Sequence, residues 1–176
     1  MAVPRLVVFD LDQCCWHPEM FELSGAPTKW DASDNAVICG RDRVKLFDGA
    51  ILALRELRNK PEFKDTKVAA ASSTTEGDWA RKCLSLLEVE PGVKMKDVFG
   101  FFEIYPSNKT KHFKALQAST GVEFKDMLFF DDCTYGNNCE DVERGCHGVT
   151  TVRTPDGMTE AKWREGLSKF ASQSGR

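Results

Sequence analysis

Two four-residue apolar runs, Leu6-Val7-Val8-Phe9 and Met127-Leu128-Phe129-Phe130, each stop at carboxylates: Asp10 after the first, Asp131-Asp132 after the second. A short apolar run without polar alternation predicts a strand buried on both faces, as in a parallel sheet covered by helices. Three further segments read as strands: Lys67 to Ala71, Phe101 to Ile104 and Val149 to Val152. The first is weak in β-propensity and rests on its place between helical patterns.

Helical spacing fills the gaps. Ala50, Ile51, Leu54 and Leu57 share a face, as do Trp79, Cys83, Leu86 and Leu87 on a helix from about Thr75 to Leu87. Phe113, Leu116 and Gln117 mark another helix, Asp141, Val142 and Glu143 a short one, and Trp163, Leu167 and Phe170 the last. Strands alternating with helices predict an α/β fold: a three-layer, Rossmann-like parallel sheet with helices on both faces. The 176 residues suit a single domain, 1–176. The 41% hydrophobic content supplies a core, so disorder is expected only in the polar tail from Ser168 to Arg176.

One interval breaks the rhythm. Residues 13–47 contain no helical pattern, and a structureless loop of that length is unusual. Ala36 to Cys39, a Gly40-Arg41-Asp42 turn and Arg43 to Phe47 read as a β-hairpin, with Trp16 and Trp30 placed to pin the preceding loop. The segment is expected to be a small flap over the strand ends, and no large cap domain is expected.

Composition excludes several classes. A net charge of -3 argues against a general nucleic-acid binder. No apolar run is long enough to span a bilayer. The first residues reach carboxylates at Asp10 and Asp12 and form no signal-like stretch, so a cytoplasmic location is expected. Seven cysteines cannot all pair, which fits a reducing compartment. The spacing of Cys14, Cys15 and His17 with Cys133, Cys139, Cys146 and His147 matches no regular zinc framework. Cys14 is an oxidation-sensitive position if exposed. Nothing demands more than a monomer.

In an open α/β sheet, ligands bind beyond the carboxyl ends of the strands. Those ends offer Asp10, Ser72, the loop after Tyr105, and Asp131-Asp132. Asp10-Leu11-Asp12 can supply an attacking carboxylate and a proton donor to one substrate. Alone, a strand followed by two such acids is as well explained by turn capping. A second acidic strand end shifts the balance, because several clustered carboxylates repel unless a cation joins them. Hard oxygen ligands select Mg2+ over Zn2+. The Ser72-Ser73-Thr74-Thr75 turn can donate hydroxyl and backbone N–H groups to a phosphate, while one of Ser73, Thr74 and Thr75 is expected to cap the next helix. Lys109 can offset transition-state charge, with Lys111 and Lys114 as rivals that spacing does not eliminate.

Val7-Val8-Phe9-Asp10-Leu11-Asp12, Ala69-Ala70-Ala71-Ser72, Glu103-Ile104-Tyr105-Pro106 with Lys109, and Phe129-Phe130-Asp131-Asp132 together resemble, in order, the four motifs of the haloacid-dehalogenase-like superfamily. Within it the chain is similar to the small magnesium-dependent phosphatases, over nearly its whole length. The resemblance implies a Mg2+-dependent phosphomonoester hydrolase in which Asp10 attacks phosphorus and forms an aspartyl-phosphate. Asp12 would protonate the leaving oxygen and then assist water. Ser72, with Ser73 beside it, and Lys109 would hold the phosphoryl group. Mg2+ would be held by Asp10, the backbone carbonyl of Asp12, and the acidic pair, Asp131 before Asp132. Phosphotyrosine-like or sugar phosphates are the implied substrates, small or carried on a phosphoprotein. The superfamily usually has Thr where Cys14 stands, which puts rate and substrate choice in question. A receiver-like phosphoryl-accepting domain and a non-catalytic interaction protein of the same fold are the alternatives.

Overall fold

In the computed structural model, which describes residues 2–175, strand β1 (Leu6–Phe9) buries all four side chains. Leu6 and Val8 enter one hydrophobic cluster, Val7 and Phe9 the other. This period of two, with apolar residues on both faces, makes β1 the centre of a three-layer structure. Parallel neighbours flank it: β6 (Lys67–Ser72) and β10 (Met127–Asp131). With β9 (Phe101–Ile104) and β11 (Thr150–Arg153) they form a five-stranded sheet in the order β11-β10-β1-β6-β9. The predicted α/β architecture is therefore present.

Helices α1 (Asp48–Asn59), α2 (Gly77–Leu86) and α6 (Glu160–Ser174) cover one face, and α4 (Lys109–Thr120) and α5 (Asn138–Gly145) the other. Helix α4 is capped at both ends: the Asn108 side chain accepts from Thr110 N, and Gly121 closes it in the left-handed conformation. The predicted start of α2 at Thr75 moves to Gly77, and none of Ser73, Thr74 and Thr75 is its N-cap; that position is Glu76. The three residues make a hydroxyl-stabilised turn instead, in which Ser72 Oγ accepts from Thr74 N and Thr74 Oγ1 from Glu76 N.

The flap is larger than the predicted hairpin. Strands β4 (Ala36–Cys39) and β5 (Asp42–Leu46) form it as expected, but β2 (Trp16–His17) and β3 (Pro27–Asp31) join them in a four-stranded antiparallel sheet ordered β2-β5-β4-β3. Both tryptophans pin the segment. Trp16 is fully buried, and Trp30 donates to Asn35 Oδ1 under the Lys94 ammonium. Asn35 in turn exchanges two hydrogen bonds with Glu88. Glu88 begins a small hairpin, β7 (Glu88–Glu90) and β8 (Val93–Lys94), followed by the single turn α3 (Met95–Val98). Sequence periodicity missed these three elements because each is too short to show a period.

From Ser168 to Gly175 the expected disorder is not found, and Arg176 lies outside the described residues. Helix α6 continues to Ser174, Phe170 is buried, and Lys169 Nζ donates to Thr151 O. One buried aromatic and a strand edge hold a stretch that composition alone marks as polar. Among the described residues no helix is long and apolar enough to cross a membrane.

Candidate active site

Register brings the first acids together. Phe9 pairs with Phe130 across β1 and β10, so the next residues, Asp10 and Asp131, leave adjacent strands at the same level. Asp10 N–H still donates to Phe130 O at 2.9 Å. Both chains then turn through left-handed residues, Gln13 (φ 59°) and Cys133 (φ 56°), and fold back over the sheet edge. Asp10, Asp131 and Asp132 are all buried, and each offers an oxygen within 4.8 Å of the others. This set consists of hard oxygen donors alone, which fits Mg2+.

Lys109, the first residue of α4, crosses beneath this group. Its ammonium donates to Asp10 Oδ1 at 2.7 Å, lies 3.3 Å from Asp131 Oδ2, and donates to Ala71 O. Burial alone pulls the ammonium's pKa down, but Asp10 and Asp131 outweigh it and hold the lysine charged. Asp10 is pushed well above the usual carboxylate range, first by burial, with Lys109 opposing and Asp131 and Asp132 adding to it. One lysine facing three carboxylates leaves an excess of negative charge, which a divalent cation offsets. Lys111 points elsewhere, over the Tyr105 ring, and Lys114 is exposed.

Asp12 does not join the three-acid group. Its Oδ1 accepts from the Trp16 indole N–H at 2.7 Å, and its Oδ2 from Met20 N–H at 3.1 Å. Burial raises its pKa, and these two donors hold it back in part. The flap therefore orients this carboxyl, a duty for Trp16 that the sequence did not suggest. Asn138 was likewise missed: its amide donates to both oxygens of Asp131, at 3.1 and 3.2 Å. Its neighbour Asn137 is the N-cap of α5, with a side chain that accepts from Glu140 N–H.

Ser72 closes β6 with its hydroxyl in the same cavity as Asp10, Asp12, Lys109 and Asp132, a space of 460 Å³. Ser73 lines it too, but its hydroxyl donates to Ser107 O. Glu19 from the flap is a further lining residue that spacing did not reveal. Burial, then Asp12, Asp132 and Glu22, push it up to about 7. At the mouth stand Phe21 (57% exposed) and Tyr135 (70%), with ring centroids 6.2 Å apart. Of the flap aromatics Trp16, Phe21 and Trp30, Phe21 alone lines the cavity; Trp16 is core, and Trp30 packs under Lys94.

Cys14 is fully buried, so the oxidation-sensitive role conditional on its exposure falls away. Its thiol donates to Phe130 O at 3.5 Å and accepts from Thr154 Oγ1 at 3.4 Å, while Thr154 N–H donates to Asp131 O. A hydroxyl thus reaches this spot from Thr154, in a turn closed by Gly157 (φ +81°), whose added Cβ would strike the Phe47 ring at 2.4 Å. His17 is exposed, with its ring tilted against Phe47 at 5.0 Å between centroids, and His147 is exposed. His112 is buried, bonds Tyr105 O through Nε2, and is pushed down to about 4 by burial.

The acid phosphatase family model matches residues 2–173. Magnesium-dependent phosphatase 1 of Homo sapiens is 35% identical over 96% of this chain and 88% of its own length. A HAD-like hydrolase superfamily protein of Schizosaccharomyces pombe is 29% identical over 73% of this chain and 76% of its own. Among solved structures, a HAD family enzyme of Bacteroides thetaiotaomicron, in complex with magnesium and inorganic phosphate, aligns with a TM-score of 0.58 at 15% identity, covering 86% of this chain and 94% of that one. The N-terminal, phosphatase-containing part of a Bacteroides fragilis protein, complexed with Mg, gives 0.58 at 20% identity over 97% of this chain and 40% of that one. The chain belongs to the acid phosphatase family and is a magnesium-dependent phosphatase of the haloacid-dehalogenase-like superfamily.

Proposed function

We propose that this phosphatase works through an aspartyl-phosphate on Asp10 and acts on monoesters whose leaving group is an aromatic alcohol. The observation that carries the reading is the Asp10–Lys109–Asp131 contact set beneath a cavity that also holds Ser72 and Asp12. Asp10, Asp131 and Asp132 would hold Mg2+, with the backbone carbonyl of Asp12 a further candidate. When bound, the ion supplies positive charge for phosphoryl oxygens and offsets the three carboxylates.

The chain's own residues account for the rest. The phosphoryl group enters with its oxygens toward the Ser72 hydroxyl, the Ser73 backbone N–H and the Lys109 ammonium. The Ser73 contribution is assigned to its backbone because its hydroxyl is committed to Ser107. An Asp10 oxygen attacks phosphorus, and the ester P–O bond breaks. Asp12 gives its proton to the departing oxygen. Water then attacks the phosphorus of the acyl phosphate and gives a proton to Asp12, which restores the Asp10 carboxylate and releases phosphate. The raised pKa of Asp12 suits a group that must be protonated in the first half and a base in the second.

Phe21 and Tyr135 support an aromatic leaving group, because two exposed rings at a cavity mouth gain little except by stacking on a third. Acid-quenched enzyme, digested and weighed, tests the covalent step: a phosphoryl group is expected on the peptide containing Asp10, and none in Asp10→Asn. Turnover by Asp10→Asn at the wild-type rate, or label on Asp131 instead, would sink it. An aryl phosphate is expected to give a higher kcat/KM than a sugar phosphate; the reverse order would overturn the substrate assignment.

A further inference from the structure

All seven cysteines are free thiols, and five of them have no surface exposure. The two that do, Cys133 (7%) and Cys139 (4%), are in contact: the Cys133 thiol donates to Cys139 Sγ at 3.4 Å. Cys133 sits between Asp132 and Thr134, both of which line the active-site cavity.

The pair also stands at the two ends of one loop, and both ends grip Asp131. Cys133 N–H donates to Asp131 Oδ1 at 2.8 Å. At the other end Asn138, the neighbour of Cys139, donates to both Asp131 oxygens. A disulfide requires a sulfur separation of about 2.05 Å and a narrow range of backbone separations. Joining two sulfurs now 3.4 Å apart closes that gap and pulls on the loop ends that carry the donors to Asp131.

We propose that Cys133 and Cys139 form a redox modification site, oxidised by a hydroperoxide to a disulfide that loosens the Asp131 carboxylate and turns the enzyme down. Cys133 sulfur, the more exposed, attacks the peroxide; the O–O bond breaks, leaving a sulfenic acid on Cys133 and water or an alcohol. Cys139 sulfur then attacks the Cys133 sulfur, the S–S bond forms, and the sulfenic oxygen leaves as water with the Cys139 proton. The thiol pair loses two electrons and the peroxide gains them. A thiol such as dithiothreitol reverses the change by exchange. Outside oxidising compartments a disulfide of this kind is transient and sensing rather than structural.

The bond itself does not depend on the proposed catalytic roles; its effect on turnover rests on the reading of Asp131 as a metal carboxylate. The test treats the whole protein with hydrogen peroxide, blocks remaining thiols, and maps peptides without reduction. The expected result is a Cys133–Cys139 link with the loss of two hydrogens, absent in Cys139→Ser and Cys139→Ala. Mg2+-dependent hydrolysis should fall about tenfold or more, as for other groups that orient a metal ligand, and return with dithiothreitol. Full alkylation of both cysteines after peroxide, or a link between any other pair, overturns the site. Calorimetric titration with Mg2+ separates the two readings, since it needs no turnover. Weaker binding by the oxidised form supports control through Asp131, and unchanged binding with unchanged activity overturns that control.

Discussion

The Trp16 indole N–H donates to Asp12 Oδ1 at 2.7 Å, so the flap and the acid that follows β1 are one mechanical unit. Trp16→Phe keeps most of the ring and removes the donor. A hydrogen bond to a carboxylate favours its charged form, so losing it raises the Asp12 pKa. The basic limb of the kcat–pH profile should move to higher pH, and kcat should fall about tenfold as the carboxyl loses its orientation. Stability should drop by about 1–2 kcal/mol from the lost bond and the space left behind. An unchanged basic limb would separate Asp12 from the proton transfer.

Three buried carboxylates around one lysine predict a protein that is less stable without its metal. Mg2+ should raise the melting temperature in proportion to its saturation. Asp10→Asn removes one of the repelling charges while Lys109 keeps Asp131. The variant should melt at or above the metal-free wild type and gain less from Mg2+. Thermal scans with chelator and with added Mg2+ check both effects.

Lys109→Met tests the opposite imbalance. It leaves Asp10 and Asp131 buried with no cation, which costs about 3–5 kcal/mol for groups this enclosed. Denaturant unfolding should show that loss, and activity should vanish even where the fold survives. Lys109→Arg should not rescue turnover, because the planar guanidinium cannot occupy the pocket of a compact ammonium.

Away from the site, Glu56 controls acid stability. It accepts from both terminal nitrogens of Arg164, at 2.7 and 2.6 Å, and from the Trp163 indole. Arg164, opposed by burial and helped by Trp163 and Lys60, lowers Glu56 from 4.5 to about 2. A carboxyl whose pKa is lower when folded stabilises the fold fully above its unfolded pKa, and that contribution disappears as pH falls from about 4.5 toward 2. Solvent around Arg164 screens the pair, so about 1–2 kcal/mol is at stake. Glu56→Gln should flatten stability against pH in that window and leave it unchanged in slope near neutrality.

Tyr135→Ala and Phe21→Ala should each raise KM for an aryl phosphate about threefold to tenfold, the worth of one aromatic contact. Neither should change KM for a sugar phosphate by as much. Equal effects on both substrates would assign the rings to the stability of the loop and flap.

The sheet was legible chiefly through β1 and β10, which are buried along their whole length, and that burial writes itself as uninterrupted apolar runs. The carboxylates at two of those strand ends stood out for the same reason: charge following a run with none. Lys109 could not be told from Lys111 and Lys114 by spacing, since all three belong to one polar stretch and only folding buries one of them. Trp16, Glu19 and Asn138 were invisible as site residues because no period marks them: Trp16 meets Asp12, and Asn138 meets Asp131, only once the loops after β1 and β10 fold back. The flap was read as two strands rather than four because β2 has two residues and β3 is half exposed, so neither carries a clear period.

The matched level of Phe9 and Phe130 has a consequence for how such a catalyst can change. Adding or deleting one residue within β1 or β10 would swap inward and outward faces and separate Asp10 from Asp131. Lengthening the bends beyond them would not. Diversity in this scaffold should therefore accumulate downstream of the two aspartates, where new lids and new selectivities can arise without separating Asp10 from Asp131.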